Sequence, residues 1–289
     1  MPSPTIQWFP GHMAKTRRLM QECLPQVDLV IELLDARIPD SSRNPEILKI
    51  VSNKPILTLL NKCSLADPSK SSLWLDFYTS DRRACLLTDC ISGEGLSAIE
   101  PTVRHLLADK LSRYREKGME GRRIRAMVVG LPNVGKSSLI NKLAGQKKAR
   151  VENRPGVTVA KQWVSTSIGI DLLDMPGVLW PKFENERVAQ NLAFTGAIKD
   201  DILQLEELAM LLARKMYELY PLQLCARYKL NEREIEDMDA YDLFMHIGKK
   251  RGFLMSGGAV NERRTADTLL DEFRAALIGR MTLELPQDL

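Results

Sequence analysis

Five short apolar runs in the first two-thirds of the chain predict buried β-strands. Each run ends in or beside a polar residue or glycine, and the runs cover residues 27–36, 54–61, 84–88, 124–130 and 169–176. Continuous rather than alternating apolar patterns are typical of strands that are covered on both faces, as in parallel sheets. The stretches between the runs are long enough for crossover helices. The pattern therefore favours an α/β fold with a mostly parallel sheet flanked by helices.

The pattern changes after about residue 183. Residues 204–220 place apolar side chains at helical spacing and stop at Pro221, and residues 235–252 and 264–280 follow the same spacing. Such a repeat predicts amphipathic helices. We therefore expect two domains, an α/β domain over residues 1–183 and a small all-helical domain over residues 184–289.

Composition indicates a globular protein of the cytoplasm. The chain contains no run of about 18 apolar residues, so we expect no transmembrane helix, and its first residues lack the apolar core of a signal peptide. Five cysteines without metal-ligand spacing are best explained as reduced thiols. The net charge of +4 is uneven, because residues 199–289 hold 13 basic and 17 acidic side chains while residues 1–198 hold 28 and 20. This distribution is compatible with nucleic-acid binding without requiring it.

Residues 130–138, GLPNVGKSS, form a phosphate-binding loop. The segment matches GxxxxGK[ST] and lies between a predicted strand and a predicted helix, which is the context that this motif needs. Glycines let the backbone wrap a phosphate, the lysine reaches the terminal phosphates, and the following hydroxyl can hold Mg²⁺. The predicted phosphate-binding residues in the loop are Asn133, Val134, Gly135, Lys136, Ser137 and Ser138.

Two further segments match the switch regions of GTPases in the expected order. RPGVT places Thr158 about twenty residues after the lysine, where a switch loop brings a second Mg²⁺ ligand. LLDMPG ends a predicted strand in Asp174, the position of an acid that holds the hydrated metal, and Gly177 can donate its N–H to a γ-phosphate. We therefore expect Ser137, Thr158 and Asp174 around Mg²⁺.

The segments that match base-binding loops lie upstream of the phosphate loop. Asn61 and Lys62 begin an NKxD-like segment at a strand end, and residues 87–96, with Ser92 and Gly93, match the loop that covers the base. In ordinary GTPases these loops follow the phosphate motifs. The order here is that of a circular permutation, which sheet geometry tolerates because the sites lie on adjacent strand ends.

Taken together, WFPGHM, DARIP, NKCS, GLPNVGKSS, PGVT and DMPGV resemble the circularly permuted GTPases of the ribosome biogenesis GTPase A (YlqF) type, and residues 256–284 are similar to that family's helical tail. The resemblance implies a cytoplasmic GTPase that binds GTP/GDP with Mg²⁺. It further implies action late in assembly of the large ribosomal subunit, with contacts to its rRNA and ribosomal proteins. We expect no membrane or DNA partner.

One position departs from the family pattern. The fourth residue of NKxD is an aspartate that accepts hydrogen bonds from guanine N1 and N2, and this chain has Ser64 there. A neutral hydroxyl is a weaker acceptor than a carboxylate. The substitution predicts weakened guanine selectivity, unless Asp67 compensates through a different loop path.

The residue that handles the attacking water is not evident. Ras-like GTPases place a glutamine directly after the DxxG glycine, whereas this chain has Val178, so we expect slow intrinsic hydrolysis. His12 has suitable chemistry, although the residues alone leave a packing or capping role open for it. The resemblance points to His12 as catalytic, and it implies that Asn133 helps to hold K⁺ against the phosphates.

Clusters of basic residues are the expected RNA contacts. Backbone-directed RNA binding needs such clusters, although exposed charge runs are often only solvated faces. Because the resemblance implies rRNA contacts, we expect RNA to bind at these basic residues: Lys15, Arg17, Arg18, Lys249, Lys250, Arg251, Arg263 and Arg264. A metabolic P-loop kinase is disfavoured by the switch threonine and DMPG, whereas a nucleotide-binding, RNA-associated scaffold with little turnover or relaxed guanine specificity stays open.

Overall fold

The structure is a computed structural model that describes residues 10–51, 53–145, 162–177, 179 and 185–288, with the backbone alone at residues 10–13, 162 and 288. Within these ranges no helix has both the length and the apolar character needed to cross a bilayer.

Six strands in the described part of the chain form one sheet in the order β3-β2-β1-β4-β6-β5. All neighbouring pairs are parallel except β5 with β6. This confirms the mostly parallel sheet. Four of the five apolar runs contain a strand, and the run at 84–88 overlaps β3, which begins one residue earlier. The short antiparallel edge strand was not predicted. The strands are β1 (Leu29–Asp35), β2 (Ile56–Asn61), β3 (Arg83–Leu87), β4 (Ile124–Gly130), β5 (Gln162–Ser165) and β6 (Ile170–Asp174).

Helices cover both faces of the sheet because the strand residues alternate between two apolar clusters. Met127 and Val129 of β4 pack on one face, and Ala126 and Val128 pack on the other. The first face is covered by α1 (Pro10–Cys23) and α2 (Pro45–Val51), and the second by α4 (Ile99–Leu106) and α6 (Lys136–Ala144). The remaining helices of this part are α3 (Pro68–Tyr78) and α5 (Ala108–Glu116).

The following part of the chain is built on helices, as the apolar spacing predicted. They are α7 (Glu186–Phe194), α8 (Leu205–Leu219), α9 (Pro221–Tyr228), α10 (Glu232–Ile235), α11 (Ala240–Lys250) and α12 (Glu262–Arg274). Their core includes Leu212 of α8, Phe244 of α11 and Phe273 of α12. Three side chains from the first part, Ile38, Leu131 and Leu179, are buried in the same cluster.

The C-terminal segment returns to the first part of the chain. After α12 the described residues form turns and a short 3-10 helix (Pro286–Asp288) but no α-helix. The Leu283 N–H donates to the Arg37 carbonyl at 2.8 Å, and the Met281 N–H donates to the Leu65 carbonyl at 3.1 Å. The Glu284 carboxylate accepts from the Ser41 N–H at 2.8 Å. We propose the division between residues 183 and 184, and residues 280–284 are hydrogen-bonded to the α/β part.

Candidate nucleotide site

The phosphate loop connects β4 to α6 at the carboxyl edge of the sheet. Gly130 ends β4, and Gly135, with a φ of +107°, directly precedes the first residue of α6. A Cβ at Gly135 would collide with the Asn61 amide. The loop leads directly into the N-terminus of α6. The unpaired N–H groups of a first helical turn attract anions. Ser137 and Ser138 lie half-buried in this turn.

Lys136 is a buried cation held by the loop itself. Its Nζ donates to the carbonyls of Gly130 at 2.9 Å and Leu131 at 2.7 Å. Burial lowers the pKa of Lys136 to about 8, and the nearby Asp174 carboxylate opposes this decrease. Because a buried ammonium is costly without a counter-charge, this position favours an anion such as a nucleotide phosphate.

Asp174 supplies the acid beside the loop. It ends β6 and lies in register with Val128 of the neighbouring β4. Burial raises the pKa of Asp174, and Lys136 lowers it. Its Oδ1 is buried and has no hydrogen-bond partner among the described residues. An unpartnered carboxylate oxygen and a serine hydroxyl are donors that suit Mg²⁺, so Asp174 and Ser137 fit the predicted metal. Thr158 lies outside the described residues.

Gly177 brings the DMPG segment onto the phosphate loop. A Cβ at this position would lie 2.5 Å from Lys136 Nζ and 3.0 Å from the Pro132 nitrogen. No larger residue fits there without displacing the loop. The two phosphate motifs thus touch, although Val178, the next residue, lies outside the described part.

Asn61 joins the loops that the permutation separates in sequence. Its Nδ2 donates to the Val134 carbonyl in the phosphate loop at 2.7 Å, and its Oδ1 accepts from the Cys90 N–H at 3.0 Å. One side chain therefore connects the phosphate loop with the base-cover loop. The structure brings these predicted segments together at one edge of the sheet.

Lys62 is anchored by an acid that the sequence did not single out as a site residue. Its Nζ lies 3.0 Å from Asp35 Oδ2, and Arg37 makes a second ion pair with the same carboxylate at 2.7 Å. Burial alone would raise the pKa of Asp35, but Arg37 and Lys62 hold it well below its usual range. Arg37 also donates to the Thr195 carbonyl at 3.5 Å. The base-side lysine is thus linked to the helical part.

Ser64 does not stand alone in the base loop. It is exposed, and its Oγ donates to Oδ2 of Asp89, which is only 4% exposed. Asp89 Oδ1 accepts from the N–H groups of Ile91 at 2.8 Å and Ser92 at 3.1 Å. Asp89 therefore holds the turn that contains the base-cover residue Ser92 and leads into Gly93.

The structure argues against compensation of Ser64 by Asp67, the alternative that the sequence left open. Asp67 Oδ1 caps α3 by accepting from the Ser69 N–H at 2.9 Å, and its Oδ2 accepts from the Tyr220 hydroxyl at 3.1 Å. Asp67 is therefore committed to α3 and to the helical part, and the carboxylate beside Ser64 is Asp89.

Asn133, the predicted K⁺ ligand, connects the phosphate loop with the helical part. It is exposed, has a left-handed φ of +60°, and donates from Nδ2 to the Gly196 carbonyl at 3.1 Å. Amide oxygens are suitable ligands for K⁺, and this hydrogen bond uses only the nitrogen of the Asn133 amide.

His12 lies in the first turn of α1. The helix begins at Pro10, and proline is favourable in a first helical turn. The other end of α1, Cys23, is close along the chain to the start of β1, at the amino edge of the sheet. Arg17 lies 3.6 Å from Glu46, in the first turn of α2. Hence α1 directs its first turn towards the edge that carries the phosphate loop.

The predicted RNA contacts fall into groups with different surroundings. Lys15, Arg17 and Arg18 are exposed on α1, and Lys249 and Lys250 are exposed at the end of α11. Arg251 instead forms an ion pair with Glu272 at 2.9 Å. Arg263 lies 3.2 Å from Asp267, and the Arg264 guanidinium lies 4.6 Å from the Phe253 ring centroid.

The fold and this arrangement of motifs define a circularly permuted P-loop GTPase. Residues 125–240 match the family model described as 50S ribosome-binding GTPase. The chain is 50% identical to ribosome biogenesis GTPase A of Priestia megaterium over 98% of both chains, and 47% identical to that of Bacillus licheniformis over 98% of this chain and 99% of the relative. The chain belongs to the ribosome biogenesis GTPase A family. Its fold is similar to a GDP-bound YlqF structure, with a TM-score of 0.65 and 24% identity, covering 94% of this chain and 100% of that one.

Proposed function

We propose that this GTPase is a cytoplasmic assembly factor that acts in late maturation of the large ribosomal subunit. In this proposal it binds the precursor particle, through rRNA and ribosomal proteins, more tightly in one nucleotide state, and the particle stimulates hydrolysis. The supporting observation is that Leu131 of the phosphate loop and Leu179, two residues after the DMPG glycine, are buried in the core of the helical part. The names of the relatives support the ribosomal partner.

In this proposal, named residues of the chain bind the phosphates and the metal ions during hydrolysis. Lys136 and the first turn of α6 bind the phosphates, and Gly177 donates its N–H to the γ-phosphate. Ser137, Thr158 and Asp174 would hold Mg²⁺, which supplies charge stabilisation to the transferring phosphoryl group. Asn133 would help to hold K⁺ there. Water attacks phosphorus as the bond to the bridging oxygen breaks, and GDP and phosphate leave.

His12 is the residue that we propose for positioning the attacking water. Val178 lacks any hydrogen-bonding group in its side chain, and α1 directs its first turn towards the phosphate loop. The intrinsic rate is slow in this proposal because Val178 cannot position water and the particle is needed to hold His12 in place. The neighbouring Lys15, Arg17 and Arg18 are exposed, which suits them to contact an RNA backbone.

A GTP hydrolysis assay tests this function directly. Turnover is measured for the protein alone, with large ribosomal subunits and with small subunits, first in K⁺ and then in Na⁺ buffer. We expect slow turnover alone, a clear increase with large subunits in K⁺, and a smaller increase in Na⁺. If large subunits do not increase the rate, stimulation by the particle is refuted. If no mixture shows turnover, the chain is a nucleotide-binding scaffold.

A further inference from the structure

We propose that Ser64 and Asp89 together carry the guanine selectivity of this chain, with Asp89 acting as a positioning residue for the Ser64 hydroxyl. The missing NKxD aspartate is thereby replaced by a pair of residues from two loops. The inference rests on guanine-nucleotide binding at the site described above, and it goes beyond that function by naming what reads the base.

The two loops are fixed against each other by backbone hydrogen bonds. β2 and β3 are parallel neighbours in which Leu60 faces Leu87. Beyond them, the Cys63 N–H donates to the Thr88 carbonyl at 3.1 Å, and the Thr88 N–H donates to the Leu60 carbonyl at 2.9 Å. Ser64 and Asp89 each follow one of these bonded residues, so their contact is set by the sheet.

Ser64 and Asp89 differ in their access to a ligand. Ser64 is exposed, whereas Asp89 is buried behind it. Asn61, the last residue of β2, lies three positions before Ser64 and accepts a hydrogen bond from the N–H of Cys90, the residue after Asp89. A base bound beside Asn61 would therefore meet the hydroxyl of Ser64, with the carboxylate of Asp89 on the far side of that hydroxyl.

Asp89 fixes the direction of the Ser64 proton. Burial raises the pKa of Asp89, but hydrogen bonds from Ser64 and from the N–H groups of Ser92 and Ile91 outweigh burial and lower it below its usual range. An ionised carboxylate only accepts hydrogen bonds, so the Ser64 hydroxyl donates to it. The remaining lone pairs of Oγ are then free to accept, and the adjacent negative charge makes Oγ a stronger acceptor.

An obligatory acceptor distinguishes the two purines. Guanine presents N1–H and an N2 amino group at the edge that the NKxD aspartate reads, and both are donors. Adenine presents an unprotonated N1 at the corresponding position, which is an acceptor. When adenine is bound, the lone pair of its N1 faces a lone pair of Ser64 Oγ. Neither atom then has a hydrogen bond in a contact from which water is excluded, and this loss is costly. The pair therefore favours guanine, contrary to the weakened selectivity expected for an isolated serine.

The isosteric variant Asp89→Asn separates this role from support of the loop. Asparagine keeps an oxygen for the N–H groups of Ile91 and Ser92, but its NH₂ can donate to Oγ. The Ser64 proton is then free to point at the base and to serve adenine. Affinities for GDP and ADP are measured by competition with a fluorescent GDP analogue, and the result is the ratio of the two dissociation constants.

We expect wild type to prefer GDP, and Asp89→Asn and Ser64→Ala each to lower the preference about tenfold to a hundredfold, the range for a hydrogen bond to a charged group. The double variant Ser64→Asp with Asp89→Asn should regain the preference, because a carboxylate then faces guanine directly. Asp67→Asn is the matched control, since Asp67 is bonded to α3 and Tyr220, and it should leave the ratio unchanged.

The inference is overturned if either Asp89→Asn or Ser64→Ala keeps the wild-type ratio, or if wild type does not prefer GDP. If wild type binds neither nucleotide, guanine-nucleotide binding itself fails, which is a different result. Should Asp89→Asn not fold, the ratio of Ser64→Ala still decides, because that variant leaves Asp89 and its hydrogen bonds to Ile91 and Ser92 in place; an unchanged ratio in it overturns the inference.

Discussion

At the scale of single residues, the phosphate site holds two buried, opposite charges. Burial lowers the pKa of Lys136 to about 8 and raises that of Asp174, and each charge partly offsets the shift of the other. Lys136 has only carbonyl oxygens as hydrogen-bond acceptors in the described structure, and Asp174 Oδ1 has no hydrogen bond within it. In the proposed function, the nucleotide phosphates and Mg²⁺ would supply the missing partners of these two side chains.

The shifted lysine predicts a pH dependence of GDP affinity. Without nucleotide, Lys136 loses its proton as the pH rises through about 8. A bound phosphate favours the ammonium, so binding above that pH takes up a proton and affinity falls, by up to about tenfold per pH unit. Below about pH 7 this lysine is already charged and contributes no pH dependence. Titration calorimetry at pH 9 in buffers of different ionisation enthalpy measures the proton uptake.

Asp174→Asn provides the control for this lysine. Because the Asp174 charge raises the pKa of Lys136, its removal should move the onset of proton uptake to lower pH. Zero uptake at pH 9 in wild type, or an unmoved onset in the variant, would contradict the assignment of the titration to Lys136.

At the scale of elements, α1 links the exposed basic residues to the catalytic edge. Arg17 contacts Glu46 of α2, and Met20 and Cys23 pack into the cluster that includes β4 and β6 side chains. α1 is 14 residues long, about 21 Å at the rise of an α-helix, which matches the length of a seven-residue strand such as β1. A helix anchored at the amino edge of the sheet therefore reaches the carboxyl edge with its first turn.

His12→Ala tests whether this first turn serves catalysis. We expect the subunit-stimulated turnover to fall strongly, by the 10²- to 10⁴-fold typical of general acid–base residues, while GTP affinity stays within about twofold. Single-turnover hydrolysis and equilibrium binding give the two values separately. His105→Ala is the matched control, since His105 is exposed on α4. A parallel collapse of affinity and turnover would instead assign His12 a structural role.

The elements were predictable where the local pattern carries the information. Strand β1 is buried at every position, so its apolar run was evident in the sequence. Strand β5 was missed because a four-residue edge strand with one apolar pair leaves only a weak pattern. The Ser64–Asp89 contact could not be predicted, because the register of β2 and β3 brings together two residues that are 25 positions apart in sequence. The one available signal was Asp89, a polar residue shortly after the end of β3 at Leu87.

At the scale of the whole molecule, the two parts of the chain share a core and a return segment. Leu131 and Leu179 are buried among the helices, Asn133 and Arg37 bond to carbonyls of the loop at Thr195–Gly196, and the C-terminal segment lies against the α/β part. Apolar spacing predicted the helices, but it contains no information about which side chains cross between the parts. Nucleotide-dependent changes in the phosphate motifs would reach the helices through these contacts.

Glu284→Ala tests how much the return segment stabilises the fold. The Glu284 carboxylate accepts from the Ser41 N–H and hydroxyl and from Asn191 Nδ2 at 2.8, 2.6 and 3.0 Å. Truncation leaves the buried Ser41 N–H and hydroxyl without this acceptor, whereas Asn191 Nδ2 still donates to Ser41 Oγ at 2.9 Å. We expect the free energy of unfolding to fall by about 1–3 kcal/mol. Urea denaturation measures it, with the exposed Gln287→Ala as the control. Equal stability of the two variants would show that the segment is only loosely attached.

The link between nucleotide and particle is tested most directly by the affinity for purified large ribosomal subunits in two nucleotide states. Binding is measured by co-sedimentation with saturating GDP and with a non-hydrolysable GTP analogue, at one fixed salt concentration because RNA contacts are salt-dependent. We expect clearly tighter binding with the GTP analogue. The γ-phosphate would order the DMPG segment, and Leu179, two residues after its glycine, lies in the helical core. Equal affinities in the two states would contradict nucleotide control of particle binding.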